Sequence, residues 1–297
     1  ALSYIDPANV GKVVVHAGIA PVSAGGDSIG GSIQMDSAAP RFAAGGETLW
    51  QARLGAFARS SGFARGGNAS GTWASERLSL GAEWSVNRQD NWRAARAFKP
   101  VAPGIEGGAP IAGDVVGSTA YQARNQALSV AWRTGEHLLQ WRAGEQRLGF
   151  EGFPNQRMDM TANTSRQLNL RYSGNFGWGE LQARLYRQDV DHAMDMGPDR
   201  YHYGYGMPML TEAHTRGASL QAVVDCGGGD QLRLGIERQT YVLYDWWPPV
   251  GGVMGPNAFW NIDFGRRHRS GAYAEWDGRL AAAWSLRAGL RHDQVMT

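Results

Sequence analysis

The sequence predicts an all-β fold, a transmembrane antiparallel up-and-down β-barrel, on three observations. The first is alternation. Leu78, Leu80, Ala82, Trp84 and Val86 interleave with Ser79, Gly81, Glu83 and Ser85, and the same dyad recurs at Leu128/Val130/Trp132, Leu139/Trp141/Ala143, Leu168/Leu170/Tyr172, Leu181/Ala183/Leu185, Leu232/Leu234/Ile236 and Trp284/Leu286/Ala288/Leu290. A period of two marks a strand with one apolar and one polar face. The second observation is what fills the polar face: Gln140, Arg142, Gln167, Asn169, Arg171, Arg287 and Arg291. Such side chains suit a wet lumen, and the apolar set suits lipid. The third is that short and long connections alternate, as they do in barrels with tight turns at one rim and large loops at the other.

Composition agrees. Hydrophobic residues make up 43% of the 297, yet mean hydropathy is −0.38. No run approaches the roughly 18 apolar residues of a membrane helix. Gly 41, Trp 12 and Tyr 10 are high counts that fit a barrel with interfacial aromatics. A net charge of +2, with arginines scattered at strand spacing, supports no nucleic-acid partner. The one cysteine, Cys226, excludes an internal disulfide framework and a Cys₄ metal site, and no role is assigned to it.

About eleven strands follow from the alternation, at 47–59, 66–75, 76–88, 121–134, 136–149, 164–175, 179–190, 212–225, 230–243, 262–278 and 281–297. Ser75-Glu76, Gly135, Asn175 to Trp178 and 226–229 are short connections, whereas 89–120, 150–163, 191–211 and 244–261 are long. Neither end looks natural: no signal peptide is present and the chain stops in a strand, so it reads as a fragment.

Residues 1–40 depart from the barrel pattern. Val13-Val14-Val15 and Ile33-Gln34-Met35 read as short strands around a Gly/Ser/Ala-rich turn, with Pro40 ending the segment. Gly26-Asp27-Ser28-Ile29-Gly30-Gly31 invites a serine-protease reading, but Ile29 spoils the spacing between nucleophile and oxyanion-hole amides, and no triad accompanies it. No catalytic residue is assigned, and the chain is expected not to be an enzyme. Tyr4-Ile5-Asp6-Pro7, Val10 to Val15, Gly18 and Ala24 to Ile33 together resemble the end of the plug domain of TonB-dependent outer-membrane receptors. His16-Ala17 and Ala20-Pro21-Val22 depart from the family's usual residues there. The resemblance implies a plug end over 1–42 and the N-terminal half of a receptor barrel over 43–297. It also implies a whole barrel of roughly 22 strands, an even count as in single-chain bacterial barrels. The family's TonB-contacting box and the first part of the plug are not in this chain.

Seven of the nine methionines fall in the long connections: Met158, Met160, Met194, Met196, Met207, Met209 and Met254. Parity puts these loops at one rim, which the resemblance makes extracellular. Met158-Asp-Met160, His192-Ala-Met194-Asp-Met196 and Met207-Pro-Met209 lie close to His202 and His214. Thioether and imidazole ligands select soft metals, Cu(I) above all. The expected metal-binding set is therefore Met158, Met160, His192, Met194, Met196, His202, Met207, Met209 and His214, and the Met-x-Met pairs resemble motifs of copper-handling proteins, including copper-associated TonB-dependent receptors. Asp159, Asp191 and Asp195 lie between these residues and could add charge. The alternative is that flexible methionines pack the loops or form an adaptable surface.

Aromatic residues form a third constellation. Tyr201, Tyr203, Trp246 and Trp247 could stack on an aromatic or chelated ligand such as a siderophore, or belong to the interfacial girdle. The resemblance implies import of a scarce ligand across the outer membrane of a Gram-negative bacterium, powered through the TonB complex. Copper is the best-supported ligand and no cofactor is required. The expected partners are outer-membrane lipid or lipopolysaccharide, the TonB complex, and a small ligand or metal. An iron-siderophore receptor and a passive porin-like barrel are the alternatives.

Overall fold

A computed structural model describes residues 10–25, 30–101, 110–200, 206–250 and 257–297. Its strands, in chain order, are β1 (Val10–Ala17), β2 (Gly31–Ser37), β3 (Leu49–Ala58), β4 (Arg65–Ala74), β5 (Leu78–Gln89), β6 (Trp92–Arg93), β7 (Val115–Val116) and β8 (Tyr121–Thr134). They continue with β9 (His137–Glu151), β10 (Asp159–Phe176), β11 (Gly179–Asp195), β12 (Met209–Gly227), β13 (Asp230–Trp247), β14 (Phe259–Ala281) and β15 (Trp284–Met296). One antiparallel sheet holds eleven of them in the order β15 to β8, then β5, β4 and β3, with β3 and β15 as its edges. β6 pairs with β7 inside the long β5–β8 connection. No described helix is long and apolar enough to cross a membrane, and the wall is built of strands.

The eleven wall strands are those the alternation predicts, and the connections keep their parity. Residues 75–77, 135–136, 177–178, 228–229 and 282–283 turn at one rim, while 59–64, 90–120, 152–158, 196–208 and 248–258 connect at the other. Gly228 (φ 63°) and Gly229 (φ 91°) form a two-residue hairpin turn with both φ positive, which non-glycine residues resist.

Several strands outrun their predicted ends at the long-loop rim. β10 begins at Asp159, β11 runs to Asp195, β12 begins at Met209 and β13 runs to Trp247. Above the lipid level both faces of the wall are polar, so the hydrophobic dyad fades while the hydrogen-bond ladder continues. Consequently Met160, His192, Met194 and Met209 lie on strands, not in the loops to which the sequence pattern assigned them, whereas His214 lies in β12 within its predicted strand.

Burial is inverted relative to a soluble sandwich. The buried polar residues include Ser85, Asn125, Gln146, Asn163, Ser165 and Glu275, whereas Trp50, Leu54, Trp84, Leu128, Leu168, Leu185 and Leu290 are exposed. The polar face is tied across strands: Asn125 Nδ2 donates to Ser85 Oγ (3.1 Å), Gln188 Nε2 to Ser165 Oγ (3.1 Å), and Arg142 pairs with Glu83. Two tyrosines lie over glycines of a neighbouring strand. Tyr186 crosses Gly217, where a Cβ would sit 2.2 Å from its ring, and its hydroxyl accepts from Gln239 Nε2 (3.0 Å). Tyr273 crosses Gly235 in the same way, and its hydroxyl donates to Gln221 Oε1 (2.9 Å).

On the opposite face the register locates the edge of the apolar band. Gln126, Glu145 and Arg166 are partners in one row above Leu128, Ala143 and Leu168. On β11 and β12 the first charged pair, Arg187 and Arg216, stands one pair lower, and on β13 Arg238 stands lower again, opposite Ala218. This staircase is what tilted strands crossing a planar bilayer produce.

The β1–β2 hairpin pairs Val13 with Met35 and Val15 with Ile33, as the two predicted short strands require. It sits against the polar face. A cleft of about 750 Å³ lies between Gln34, Met35 and Asp36 and the wall residues Gln140, Arg142, Gln167, Arg171 and Arg184. The turn after β1 is pinned to β14 and β15: Ser23 Oγ donates to Glu275 (3.1 Å), and Arg291 donates to the Val22 carbonyl (3.1 Å). Glu275, 2% exposed, also pairs with Arg233 at 2.5 Å.

Candidate functional site

The long-loop rim of β10, β11 and β12 gathers most of the predicted metal ligands. Met160 is the partner of Met194, and Met194 is the partner of Met209. Direct antiparallel partners have Cα atoms about 4.5–5.5 Å apart, so three thioethers form one row across three strands. His192 lies on the same face of β11, two residues or about 6.7 Å along the strand from Met194. A β-bulge makes the row possible. β10 takes an extra residue between Met160 and Ala162, so Asn163 and Met160 share the inner face although three positions apart. Met160 is 2% exposed.

His192 is oriented by Asn163. Its Nδ1 lies 3.2 Å from the Asn163 side-chain amide, within hydrogen-bond distance, which fixes the ring's orientation. The strand position is beyond the apolar band, which on β11 ends at Leu185. Burial pushes the His192 pKa below its ordinary value and outweighs the opposing pull of Asp245. The imidazole is therefore neutral at neutral pH, as metal ligation requires. Asp245 is buried and held by Thr211 Oγ1 (2.9 Å) and Asn261 Nδ2 (2.7 Å). Two buried donors at this rim, Asn163 Nδ2 and Trp247 Nε1, have no hydrogen-bond partner among the described residues.

The adjoining loops bring more sulfur close. Asp195 Oδ1 accepts from the backbone amides of both Met196 and Met207, each at 2.7 Å, which closes the β11–β12 connection at its base. Met158 immediately precedes β10. Beside it, Asp159 is fully buried and clasps three loops. It accepts from Ser118 Oγ (2.9 Å), the Phe153 amide (2.9 Å) and Arg200 (2.8 Å), and Arg200 also donates to the Phe153 and Gln156 carbonyls. Asp199 extends the clasp to Asn91 (2.7 Å) and the Ser118 amide (2.8 Å).

Other predicted residues are placed differently. His214 is on the outer face, its ring 2.8 Å from Asp189, and the wall separates it from His192. Trp246 and Trp247 point to opposite faces, since β13 alternates without interruption there. Trp246 packs against Trp260, 5.3 Å between ring centres, and Trp247 against Phe259 at 6.4 Å. Tyr201, His202, Tyr203 and Met254 lie outside the described residues. Among the described residues no three of His, Cys, Asp and Glu come together in a group that could hold a metal ion. Sequence reasoning missed the bulge, the orienting Asn163 and the Asp159–Arg200 clasp. Asp159 and Asp195 were visible only as charges among methionines.

No protein-family model and no curated protein sequence matches the chain. Solved structures do match it. The copper transporter OprC aligns with TM-score 0.76 at 18% identity over 99% of this chain and 44% of its own. The FrpB iron transporter from Neisseria meningitidis (F3-3 variant) aligns with TM-score 0.73 at 18% identity, covering 98% and 48%. The Serratia marcescens hemophore receptor HasR, in a structure with its hemophore HasA and heme, aligns with TM-score 0.67 at 19% identity, covering 98% and 40%. These neighbours are TonB-dependent receptors, and the fold of this chain is theirs. The chain spans less than half the length of each of them.

Proposed function

We propose that this chain forms part of a TonB-dependent receptor in the outer membrane of a Gram-negative bacterium, and that the receptor imports copper. In this reading β1 and β2 are the end of a plug domain over 1–42, and residues 43–297 are half of the barrel wall. The long-loop rim is extracellular. The protein performs no covalent chemistry: a ligand is captured at the rim, and energy delivered through TonB moves the plug so that the ligand passes along the polar face.

One observation carries the copper reading, namely the register that aligns Met160, Met194 and Met209 in a row with neutral His192 beside it. Three soft sulfurs and one imidazole suit Cu(I) and suit hard ferric iron poorly. Met158, Met196 and Met207 stand close enough in the chain to join, and His202 is a further candidate from the sequence. The iron-siderophore reading draws on the FrpB neighbour and on Tyr201, Tyr203 and Trp247 as stacking residues; Trp246 on the outer face fits the girdle.

The test is a Cu(I) titration of the full-length protein against a bathocuproine-type competitor. Wild type should hold one Cu(I), and replacing Met194, Met196, Met207 and Met209 by leucine should abolish binding. Equal binding by both proteins would remove the site.

A further inference from the structure

Among the described residues the buried carboxylates are Asp159, Glu275 and Asp245. The first two have guanidinium partners, Arg200 at 2.8 Å and Arg233 at 2.5 Å. Asp245, 8% exposed, has only neutral partners among the described residues: Thr211 Oγ1 donates to its Oδ1 (2.9 Å) and Asn261 Nδ2 to its Oδ2 (2.7 Å). The first arginine on the same face of β14, Arg267, is the partner of Tyr241, four residues back along β13. A buried carboxylate without a cation is costly, so a fold that keeps one holds a place for positive charge. Register brings that place to the thioether row. His192 is the partner of Thr211, and Thr211 is the partner of Asp245, so the three lie in one row on the inner face. Met209 is two residues from Thr211 on the same face of β12, which puts the thioethers in the next row up. The charge of Asp245 reaches the His192 ring, where it opposes the effect of burial. The donor set itself is uncharged: thioethers and a neutral imidazole leave a bound ion its full positive charge.

We infer that Asp245 is the counter-charge for the ion held at the thioether row. It is a positioning residue and not a ligand: both its oxygens are engaged by Thr211 and Asn261, which keeps them out of the sulfur shell. It balances one positive charge through space, from two strands away from His192. The inference rests on the copper reading and deepens it, because one uncharged donor set with one carboxylate matches a single monovalent soft cation, Cu(I) or Ag(I). A dication would keep an unbalanced charge in the same buried place. Opposite unit charges about 10 Å apart at an effective dielectric constant of about 20 attract enough to change an affinity roughly tenfold.

The test compares wild type with Asp245→Asn in full-length protein in detergent, using Cu(I) with a competing chelator and Ag(I) by calorimetry. Asp245→Asn should weaken both ions roughly tenfold while keeping one ion per chain and the sulfur scatterers of wild type. Thermal unfolding separates this from a structural role. Without metal, Asp245→Asn should melt at or above the wild-type temperature, since an uncompensated buried charge is gone, and the rise on adding Ag(I) should shrink. Asn261→Lys, which offers Asp245 a fixed ammonium, should also weaken both ions, and it decides the matter if Asp245→Asn misfolds. Affinities within about threefold of wild type in these variants would overturn the inference. So would a lower metal-free melting temperature in Asp245→Asn with an unchanged Ag(I) shift, which would make the carboxylate a structural bridge or the partner of a protein cation. If the methionine variants abolish Cu(I) binding and Asp245→Asn leaves it intact, the counter-charge fails and the copper site stands. If wild type binds no Cu(I), both fall.

Discussion

Arg200→Ala should open the loops above the methionine row without unfolding the wall. Asp159 is fully buried, and Arg200, 16% exposed, is its charge partner at 2.8 Å. Breaking a buried ion pair from one side leaves an uncompensated charge and costs about 3–5 kcal/mol. Here the penalty has a local escape. Asp159 also holds Ser118 Oγ and the Phe153 amide, both in connections rather than in the wall ladder, so opening these loops rehydrates the carboxylate. About 3 kcal/mol corresponds to a rise of roughly a hundredfold in the open population, at 1.4 kcal/mol per factor of ten. Amide hydrogen exchange of the intact protein reads this directly. Exchange in peptides covering 110–120 and 150–158 should accelerate by roughly that factor, while β10 and β11 below Ser165 and Val190 remain protected. Exchange in those loops unchanged to within threefold would refute the clasp, and acceleration throughout the wall would refute its locality.

Three further outcomes follow from other parts of the structure. Cu(I) affinity should be flat from pH 7.5 to about 6.5 and fall only at lower pH, because burial holds the His192 pKa below its ordinary 6.5 and protons compete with the metal only beneath that value. A competitor titration across pH checks it, and a fall beginning above pH 7 would contradict the assignment. Gly217→Val should destabilise the barrel by about 1–3 kcal/mol, since its Cβ would meet the Tyr186 ring at 2.2 Å. Urea unfolding in detergent measures this, and the double variant with Tyr186→Ala should recover part of the loss. Glu275→Leu should loosen the turn after β1, because Ser23 and Arg233 both lose their acceptor. Hydrogen exchange at Val22–Ala24 should rise severalfold.

Legibility in the sequence tracked physical cause. Wherever lipid lies on one face and water on the other, as from Leu78 to Val86, the dyad is strong and all eleven wall strands were readable. Above the lipid both faces are polar, so the continuations through Asp195 and Trp247 left no hydrophobic trace. The candidate site sits in that silent zone. Its residue types were visible because methionine is uncommon in polar loops, but its geometry depends on one bulge at Thr161 that no local residue announces. Strict alternation from Asn163 would have put Met160 on the outer face. Similarly, His214 looked like part of the His/Met cluster by proximity in sequence, yet its register opposite Asp189 puts the wall between them. Polar partners far apart in the chain, such as Ser23 with Glu275 or Asp159 with Arg200, follow from closure of the fold and not from spacing.

The most direct test of the account is the copper K-edge spectrum of the full-length protein loaded with one equivalent of Cu(I). The thioether row predicts two or three sulfur scatterers with one nitrogen, and loss of sulfur scattering in the variant Met160→Leu, Met194→Leu, Met209→Leu. A first shell of nitrogen and oxygen alone, or a spectrum unchanged by those three substitutions, would contradict it.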